Sequence, residues 1–163
     1  MCGIVGVVAQ RNATPILIRG LQRLDYRGYD SSGLAIVRAD GALIRLREVG
    51  KVQNLVDAVE RTPVTGGTGI AHTRWATHGK VTADNAHPHL SSSAEADQSV
   101  CLVHNGIIEN HTALRMELQE LGYEFFSQTD SEVIVHLIHH YLSAQPDLLE
   151  AVRQAVRRLE GAY

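Results

Sequence analysis

A tight-turn signal near residue 40 constrains the fold of this chain more than any other feature. Asp40-Gly41 separates two short apolar runs, residues 34–37 and 42–46. Asp-Gly in such a position is typical of the two-residue turn that joins antiparallel strands. The sequence therefore predicts a β-hairpin at this point. Other short apolar runs, each typical of a strand, occur at residues 2–9, 69–72, 100–103 and 123–126.

Helical periodicity appears between these runs. Apolar residues recur on one helical face at residues 14–24, 52–59, 112–121, 129–142 and 148–159. Thr14 before Pro15 predicts an N-cap with proline in the first helical turn. Asn110 is predicted to cap the third helix and Gly122 to end it. Polar residues 26–33 and 91–98 are predicted to form loops.

Composition and charge exclude several classes of function. The chain has 163 residues, of which 44% are apolar and 20% charged, and its formal net charge is −3. These values indicate one soluble, globular domain with a substantial core. No long basic run supports nucleic-acid binding, and no apolar stretch approaches the roughly 20 residues that span a bilayer. We expect no nucleic-acid partner, no membrane partner and no signal peptide, since no charged segment precedes an apolar run at the N-terminus.

The cysteines and histidines point away from disulfides and metals. Cys2 and Cys101 do not make a disulfide framework, which favours a cytoplasmic location. Cys101 lies in an apolar run and is predicted to be an inert buried thiol. Nine histidines are many for this length, but neither 87–89 nor 139–140 is matched by a second pair at zinc spacing. We therefore expect no metal and no cofactor.

Cys2 is the strongest candidate for a catalytic residue. If Met1 is removed after synthesis, Cys2 carries both a thiol and a free α-amine. A cysteine thiol attacks as its thiolate and needs a base or an activating environment. A terminal amine titrates near about 7.7–8.0, so it is suited to act as that base. The alternative is a small apolar residue at the start of a buried strand.

Two further segments carry polar groups next to strands. Arg74-Trp75 follows a short strand and is either a loop anchored by tryptophan or a substrate loop. In a substrate loop, Arg74 would bind a carboxylate, Trp75 would exclude water and Gly79 would act as a hinge. Asn105-Gly106 resembles a hairpin turn, but too few residues follow it before the next helix. If it is not a turn, its amide and N–H groups are suited to bind an oxyanion.

Taken in order, these segments resemble the class II glutamine amidotransferase domain across nearly the whole chain. Within that class, the loop at residues 26–33 and the segment at residues 72–79 are most similar to the branch whose complete enzymes transfer ammonia to fructose 6-phosphate. The resemblance rests on residues 2–6, 26–33, 72–79, 85–89, 104–111 and 129–132.

The resemblance implies an α+β fold of the N-terminal-nucleophile hydrolase type, an αββα sandwich of two antiparallel sheets between helices, partial in this chain. It also implies that Cys2 is the nucleophile, with its own α-amine as the base, and that Asn105 and Gly106 hold the oxyanion. Arg74 would bind the α-carboxylate of glutamine and Asp130 its α-ammonium group. The alternative for Asp130 is a plain helix N-cap.

Other residues receive supporting roles from the same resemblance. Trp75 would close the site and guide ammonia, while Thr77 and His78 would support the loop that Gly79 ends. The remaining supporting residues are Arg27, His87 and His104.

The resemblance also implies a larger protein. Residues 2–163 would be a glutaminase domain that is incomplete at its C-terminal end, and the sugar-phosphate isomerase domains that use fructose 6-phosphate would be absent from this chain. L-Glutamine would be the substrate, and the complete enzyme would be a homo-oligomer. Two alternatives are another N-terminal-nucleophile amidohydrolase and an inactive truncated fragment. Arg74 with Asp130 argues against a different amide, because together they would recognise a free amino acid.

Overall fold

A four-stranded antiparallel sheet organises the first part of the computed structural model, which describes residues 2–25, 28–75, 80–92 and 98–163. The order of the strands is β1-β4-β2-β3. The predicted hairpin is confirmed as the pairing of β2 with β3. The strands are β1 (Gly3–Val8), β2 (Ser31–Val37), β3 (Leu43–Val49) and β4 (Thr68–Arg74).

The chain divides into two units, Met1–Pro88 and His89–Tyr163, and each has its own apolar core. In the first unit, helices α1 (Thr14–Leu24) and α2 (Val52–Arg61) pack their apolar faces on the sheet. Burial of such faces from water is the main source of stability for a unit of this kind.

Two details of the first unit differ from the sequence predictions. Thr14 is not the N-cap of α1, because Ala13 occupies that position and the Thr14 hydroxyl donates to the Val64 carbonyl (2.8 Å). The predicted loop at residues 26–33 is wrong for its last three residues, which begin β2 and pair with both β3 and β4. Because these residues are polar or glycine, the sequence pattern did not indicate a buried strand. Gly33 is required there, because an added Cβ would collide with the His87 carbonyl oxygen.

The second unit is built around one helix that is buried over most of its length. This helix, α4 (Ser131–Ala144), contacts both strands of a small antiparallel sheet and two further helices. A second two-stranded pair joins the middle of the unit to its C-terminal end. The elements are β5 (His89–Ser92), β6 (Ser99–Leu102), β7 (Ile107–Ile108), α3 (His111–Glu120), α4 (Ser131–Ala144), α5 (Leu148–Val156) and β8 (Gly161–Ala162).

The ends of α3 confirm one prediction and correct another. Gly122 ends the helix with a φ of +89°, and Tyr123 N–H donates to the Leu118 carbonyl as in a Schellman motif. Asn110 is at the N-cap position but makes no capping bond. Its amide instead donates to the Arg158 carbonyl (2.8 Å) and accepts from Glu160 N–H (3.1 Å). Asn110 therefore fastens the chain just before β8 to the start of α3.

The strand predicted at residues 123–126 is wrong. These residues have no regular secondary structure, and the Phe126 N–H donates to the carboxylate of Glu132 (2.9 Å) rather than to a strand. Aromatic side chains made the segment resemble a strand, but Tyr123 and Phe125 pack against His136 of α4 instead. The loop predicted at 91–98 begins later than expected, since Ser91 and Ser92 belong to β5, and residues 93–97 lie outside the described residues.

The length and hydropathy of a helix determine whether it could cross a membrane. Among the described residues, no helix is both long enough and apolar enough to cross a membrane.

Candidate active site

Cys2 lies at the entrance of β1, beside the end of β4. The Trp75 N–H donates to Cys2 Sγ (3.2 Å), and the Trp75 carbonyl lies 3.8 Å from the same sulfur. The next residue is held as well, because Gly3 N–H donates to the Thr73 hydroxyl (3.0 Å). The Trp75 backbone therefore holds the sulfur in place. The strand pairing of β1 with β4 thus places the thiol at a defined point.

Arg74 is the last residue of β4 and is 7% exposed. Its register partner on β2 is Ser31, which is also buried. The neighbouring Trp75 is 45% exposed. The structure therefore brings the candidate nucleophile and the candidate carboxylate-binding arginine to the ends of two adjacent strands.

His87 packs within the same unit. It is 5% exposed, and its ring stacks on that of His72 on β4, with the ring centroids 4.3 Å apart. The carbonyl of His87 covers Gly33 of β2. This packing supports the strand that carries Arg74. The supporting role of His87 in catalysis stays a prediction.

In the second unit, Asn105 and Gly106 follow β6 without forming a hairpin. β6 pairs with β5, and β7 pairs with β8, so the two strands that flank Asn105-Gly106 are not partners. Both residues are exposed. A Cβ at Gly106 would collide with the Ala162 carbonyl and lie 2.7 Å from His104 Nε2. Only glycine fits between these groups.

Asp130 precedes α4 but makes no helix-capping bond. Its Oδ2 accepts from the Ile108 N–H of β7 (2.7 Å). Its other carboxylate oxygen lies 3.4 Å from the Ser131 hydroxyl. The plain N-cap alternative for Asp130 is therefore not the arrangement observed.

His104 is joined to the same turn of α4. Its Nδ1 lies 2.9 Å from the Ser131 hydroxyl. Burial lowers the pKa of His104, and the negative charge of Asp130 acts in the opposite direction. The lowered pKa favours a neutral ring at neutral pH, which has one donor and one acceptor nitrogen.

Glu132 is a structural carboxylate to which sequence reasoning gave no role. It is 4% exposed and accepts from Phe126 N–H, Ser127 N–H (2.8 Å) and the Ser127 hydroxyl (2.7 Å). Burial alone would raise the pKa of Glu132, but His136 and these hydrogen bonds outweigh burial and lower it to about 2. The available signal was an acidic residue in the first turn of a helix that is otherwise largely apolar.

The predicted site residues divide between the units. Cys2, Arg74, Trp75 and His87 belong to the first, and His104, Asn105, Gly106 and Asp130 to the second. Four others lie outside the described residues: Arg27, Thr77, His78 and Gly79. In the described part of the chain, no three His, Cys, Asp or Glu side chains form a group that could hold a metal ion.

Comparison with known proteins assigns the chain to a family. The model of the glutamine amidotransferase domain matches residues 72–163, which is more than half of the chain. The chain belongs to the glutamine amidotransferase domain family. This amidotransferase chain is also similar, over all 163 residues, to two proteins named glutamine–fructose-6-phosphate aminotransferase [isomerizing]. The identity is 61% for the protein from Pseudomonas putida and 59% for that from Vibrio cholerae.

The same relatives are much longer than this amidotransferase chain, which spans 26% of their length. Among solved structures, it matches a glutamine phosphoribosylpyrophosphate amidotransferase from B. subtilis, complexed with ADP and GMP, with a TM-score of 0.81 and 27% identity. That match covers 99% of this chain and 33% of the other. A structure described as the allosteric regulatory enzyme of purine biosynthesis matches with a TM-score of 0.84 and 29% identity, covering 100% and 34%. These matches confirm the predicted α+β fold of the N-terminal-nucleophile hydrolase type.

Proposed function

We propose that this chain is the glutaminase part of a glutamine–fructose-6-phosphate aminotransferase (glucosamine-6-phosphate synthase). In this proposal, it hydrolyses L-glutamine to glutamate and ammonia, and other parts of the whole protein transfer the ammonia to fructose 6-phosphate in hexosamine biosynthesis. The observation that carries the proposal is the position of the Cys2 thiol, 3.2 Å from the Trp75 N–H and next to buried Arg74. The high identity to the bacterial aminotransferases supports the choice of reaction.

The proposed chemistry begins after removal of Met1. The Cys2 thiolate attacks the carboxamide carbon of glutamine, and a C–S bond forms while the oxygen becomes an oxyanion. The Asn105 amide and the Gly106 N–H donate to that oxyanion. The C–N bond then breaks, and the α-amine of Cys2 delivers a proton so that ammonia leaves. Water attacks the resulting glutamyl thioester, which releases glutamate and restores the thiol.

Substrate recognition rests on the two charged groups of a free amino acid. Arg74 forms a bidentate pair with the α-carboxylate, for which its planar guanidinium is suited. Asp130 accepts from the α-ammonium group through Oδ1, the carboxylate oxygen that also accepts from the Ser131 hydroxyl. Trp75 covers the bound substrate. Thr77, His78, Gly79 and Arg27, which lie outside the described residues, keep the supporting roles that the resemblance implies. The protein acts in the cytoplasm as a homo-oligomer, without a cofactor.

The test uses the full-length protein that contains this chain. Intact mass determines whether Met1 is removed, and a glutamate assay measures hydrolysis. We expect Cys2→Ala to abolish glutamate release, while Cys101→Ala, which changes the other cysteine, leaves it unaltered. Glucosamine 6-phosphate should form from fructose 6-phosphate only when glutamine hydrolysis is intact or free ammonia is supplied.

Arg74→Met tests the substrate. It should raise KM for glutamine far more than it lowers kcat, because the carboxylate contact is made in both ground and transition states. A processed, folded protein that releases no glutamate would contradict the proposal. Equal hydrolysis of an amide that lacks the α-carboxylate would favour a different amidohydrolase.

A further inference from the structure

Ser131 joins two of the groups that surround the proposed oxyanion donors. Its hydroxyl lies 2.9 Å from His104 Nδ1 and 3.4 Å from Asp130 Oδ1, and the residue is 3% exposed. A buried hydroxyl held between two polar groups restricts both of them, because loss of either contact leaves a polar atom unsatisfied.

The His104 ring in turn limits the position of Gly106. His104 Nε2 lies 2.7 Å from the point where a Cβ of Gly106 would be, and the Ala162 carbonyl crowds the same point. Rotation of the ring would therefore move it toward the Gly106 backbone or open a gap beside it. The Ser131 hydroxyl prevents that rotation by holding Nδ1 on the opposite side of the ring.

The first turn of α4 holds the segment on both sides of the donors. Ser131 fixes His104 immediately before Asn105, and Asp130 fixes the Ile108 N–H shortly after Gly106 (2.7 Å). Asn105 and Gly106 lie between these two attachments and are exposed. Their donor groups are thus set by two attachments, and of the two residues that make them Ser131 has no proposed contact with substrate.

We propose that Ser131 is a positioning residue that orients the Asn105 and Gly106 donors through His104. The inference rests on the proposed glutamine hydrolysis and adds to it a residue that no resemblance assigned. An oxyanion exists only in the tetrahedral state, so a misplaced donor lowers kcat and leaves ground-state binding of glutamine unchanged. Complete loss of one oxyanion donor costs about 10²–10³ in rate, and a displaced donor costs less.

The experiment compares three variants in the full-length protein: Ser131→Ala, Ser131→Thr and Ser143→Ala. Ser143 is the matched control, because it is also on α4 and its hydroxyl donates to the His139 carbonyl (2.9 Å). We expect Ser131→Ala to lower kcat for glutamate release by about tenfold to a hundredfold, with KM changed less than about twofold. Ser131→Thr keeps the hydroxyl and should retain most of the activity. Ser143→Ala should match the unaltered protein.

An aldehyde analogue of glutamine separates positioning from general damage. The Cys2 thiol adds across its carbonyl group to form a tetrahedral hemithioacetal, whose oxygen occupies the oxyanion position. Ser131→Ala should weaken inhibition by the aldehyde by the same factor as kcat and leave inhibition by glutamate, the product, unchanged. If Ser131→Ala fails to fold, Ser131→Cys replaces it, since a thiol keeps the shape and bonds weakly.

Either of two results would contradict a positioning role for Ser131. Unchanged kcat in Ser131→Ala, or equal weakening of aldehyde and glutamate binding, would overturn the positioning role while leaving the proposed function intact. No Cys2-dependent glutamate release by the unaltered protein would overturn both.

Discussion

The two units hold their candidate residues in different ways. In the first, Cys2 and Arg74 stand at the ends of β1 and β4, and a continuous ladder of paired residues sets their separation. In the second, Asn105 and Gly106 stand between short elements, and side chains of α4 fix them by bonds to the backbone and to His104. Strand pairing therefore positions one group, and the partly buried Asp130 carboxylate and the buried Ser131 hydroxyl position the other.

This difference has an energetic consequence. A ladder distributes its stability over many similar bonds, whereas a buried carboxylate concentrates several bonds in one side chain. We expect loss of one polar group to lower the stability of the second unit more than that of the first. Added side-chain volume should have the larger effect on the stability of the first unit. Five predicted effects test that contrast. Trp75, the single tryptophan of the chain, reports on the first unit by fluorescence.

The largest effect should follow Glu132→Ala. It leaves three donors without their acceptor, those of Phe126 N–H, Ser127 N–H and the Ser127 hydroxyl. We expect the free energy of unfolding to fall by about 3–5 kcal/mol, measured by urea titration with circular dichroism. Glu124→Ala is the control, because it removes an exposed carboxylate a few residues away and should change stability by less than about 0.5 kcal/mol.

Lowering the pH should remove the contribution of Glu132 to the free energy of unfolding. Its pKa is lowered to about 2 in the folded chain, below the ordinary value of 4.5, so its contribution is complete above pH 4.5 and is lost as the pH falls toward 2. The difference between the unaltered chain and Glu132→Ala should shrink over that range. A constant difference would show that the charge does not matter.

Gly33→Ala should produce the next largest effect, and in the first unit. The added Cβ meets the His87 carbonyl, a backbone group that cannot rotate away. We expect a loss of about 2–3 kcal/mol, seen in urea titrations followed by Trp75 fluorescence. Gly6→Ala on β1 is the matched control, because nothing lies within 4 Å of its Cβ. Equal effects of the two changes would contradict the packing described for β2.

Asp147→Ala should have a smaller effect. The Asp147 carboxylate caps α5 by accepting from Glu150 N–H (3.1 Å), and loss of such a cap costs about 1 kcal/mol. Thermal unfolding monitored by circular dichroism measures it. Asp147→Asn should recover most of the loss, since asparagine is also a good N-cap. No recovery would mean that charge, not the hydrogen bond, stabilises this helix.

Histidine protonation should give the smallest effect, because two influences on the pKa of His139 partly cancel. Burial lowers the pKa of His139, the charges of His136 and His140 add to that effect, and a backbone group of Gln98 opposes it. The unfolded chain then binds more protons below about pH 6.5, so stability should fall as the pH drops from 6.5. His139→Asn, which preserves a partner for the Tyr123 hydroxyl, should flatten the stability curve between pH 7 and 5. An unchanged slope would exclude His139 as a source.

Most regular elements were predictable from sequence because they rest on local patterns. The hairpin at Asp40-Gly41 follows from its turn residues, and α1, α2 and α5 follow from apolar periodicity. A loop was predicted at Ser31–Gly33, because the strand there is polar although it is buried. A strand was predicted at 123–126, because aromatic residues are typical of strands and the residues they pack against are not known from the sequence. Cys2, Arg74 and Asn105-Gly106 were identified from chemistry, and their roles stay predictions.

Ser131 and Glu132 could not be assigned roles in the same way. Each acts through a bond to a residue that only the folded chain brings near, such as His104 or Ser127. Asn110 illustrates the same limit, since its position at the start of α3 was predicted correctly but its bonds go to residues 158 and 160. Predictions from neighbouring residues in the sequence cannot identify these distant partners.

The pairing of β7 with β8 also sets an order of events during synthesis. The ribosome makes Cys2 long before Gly161–Ala162, and until that segment emerges Ile107 and Ile108 lack the strand partner that they have in the folded chain. Contacts between distant parts of a chain form late, because the whole intervening loop must first be closed. The nascent protein therefore carries its thiol long before the backbone around Gly106 takes its final form. The proposed glutamine hydrolysis should appear only after residues 161–162 have emerged.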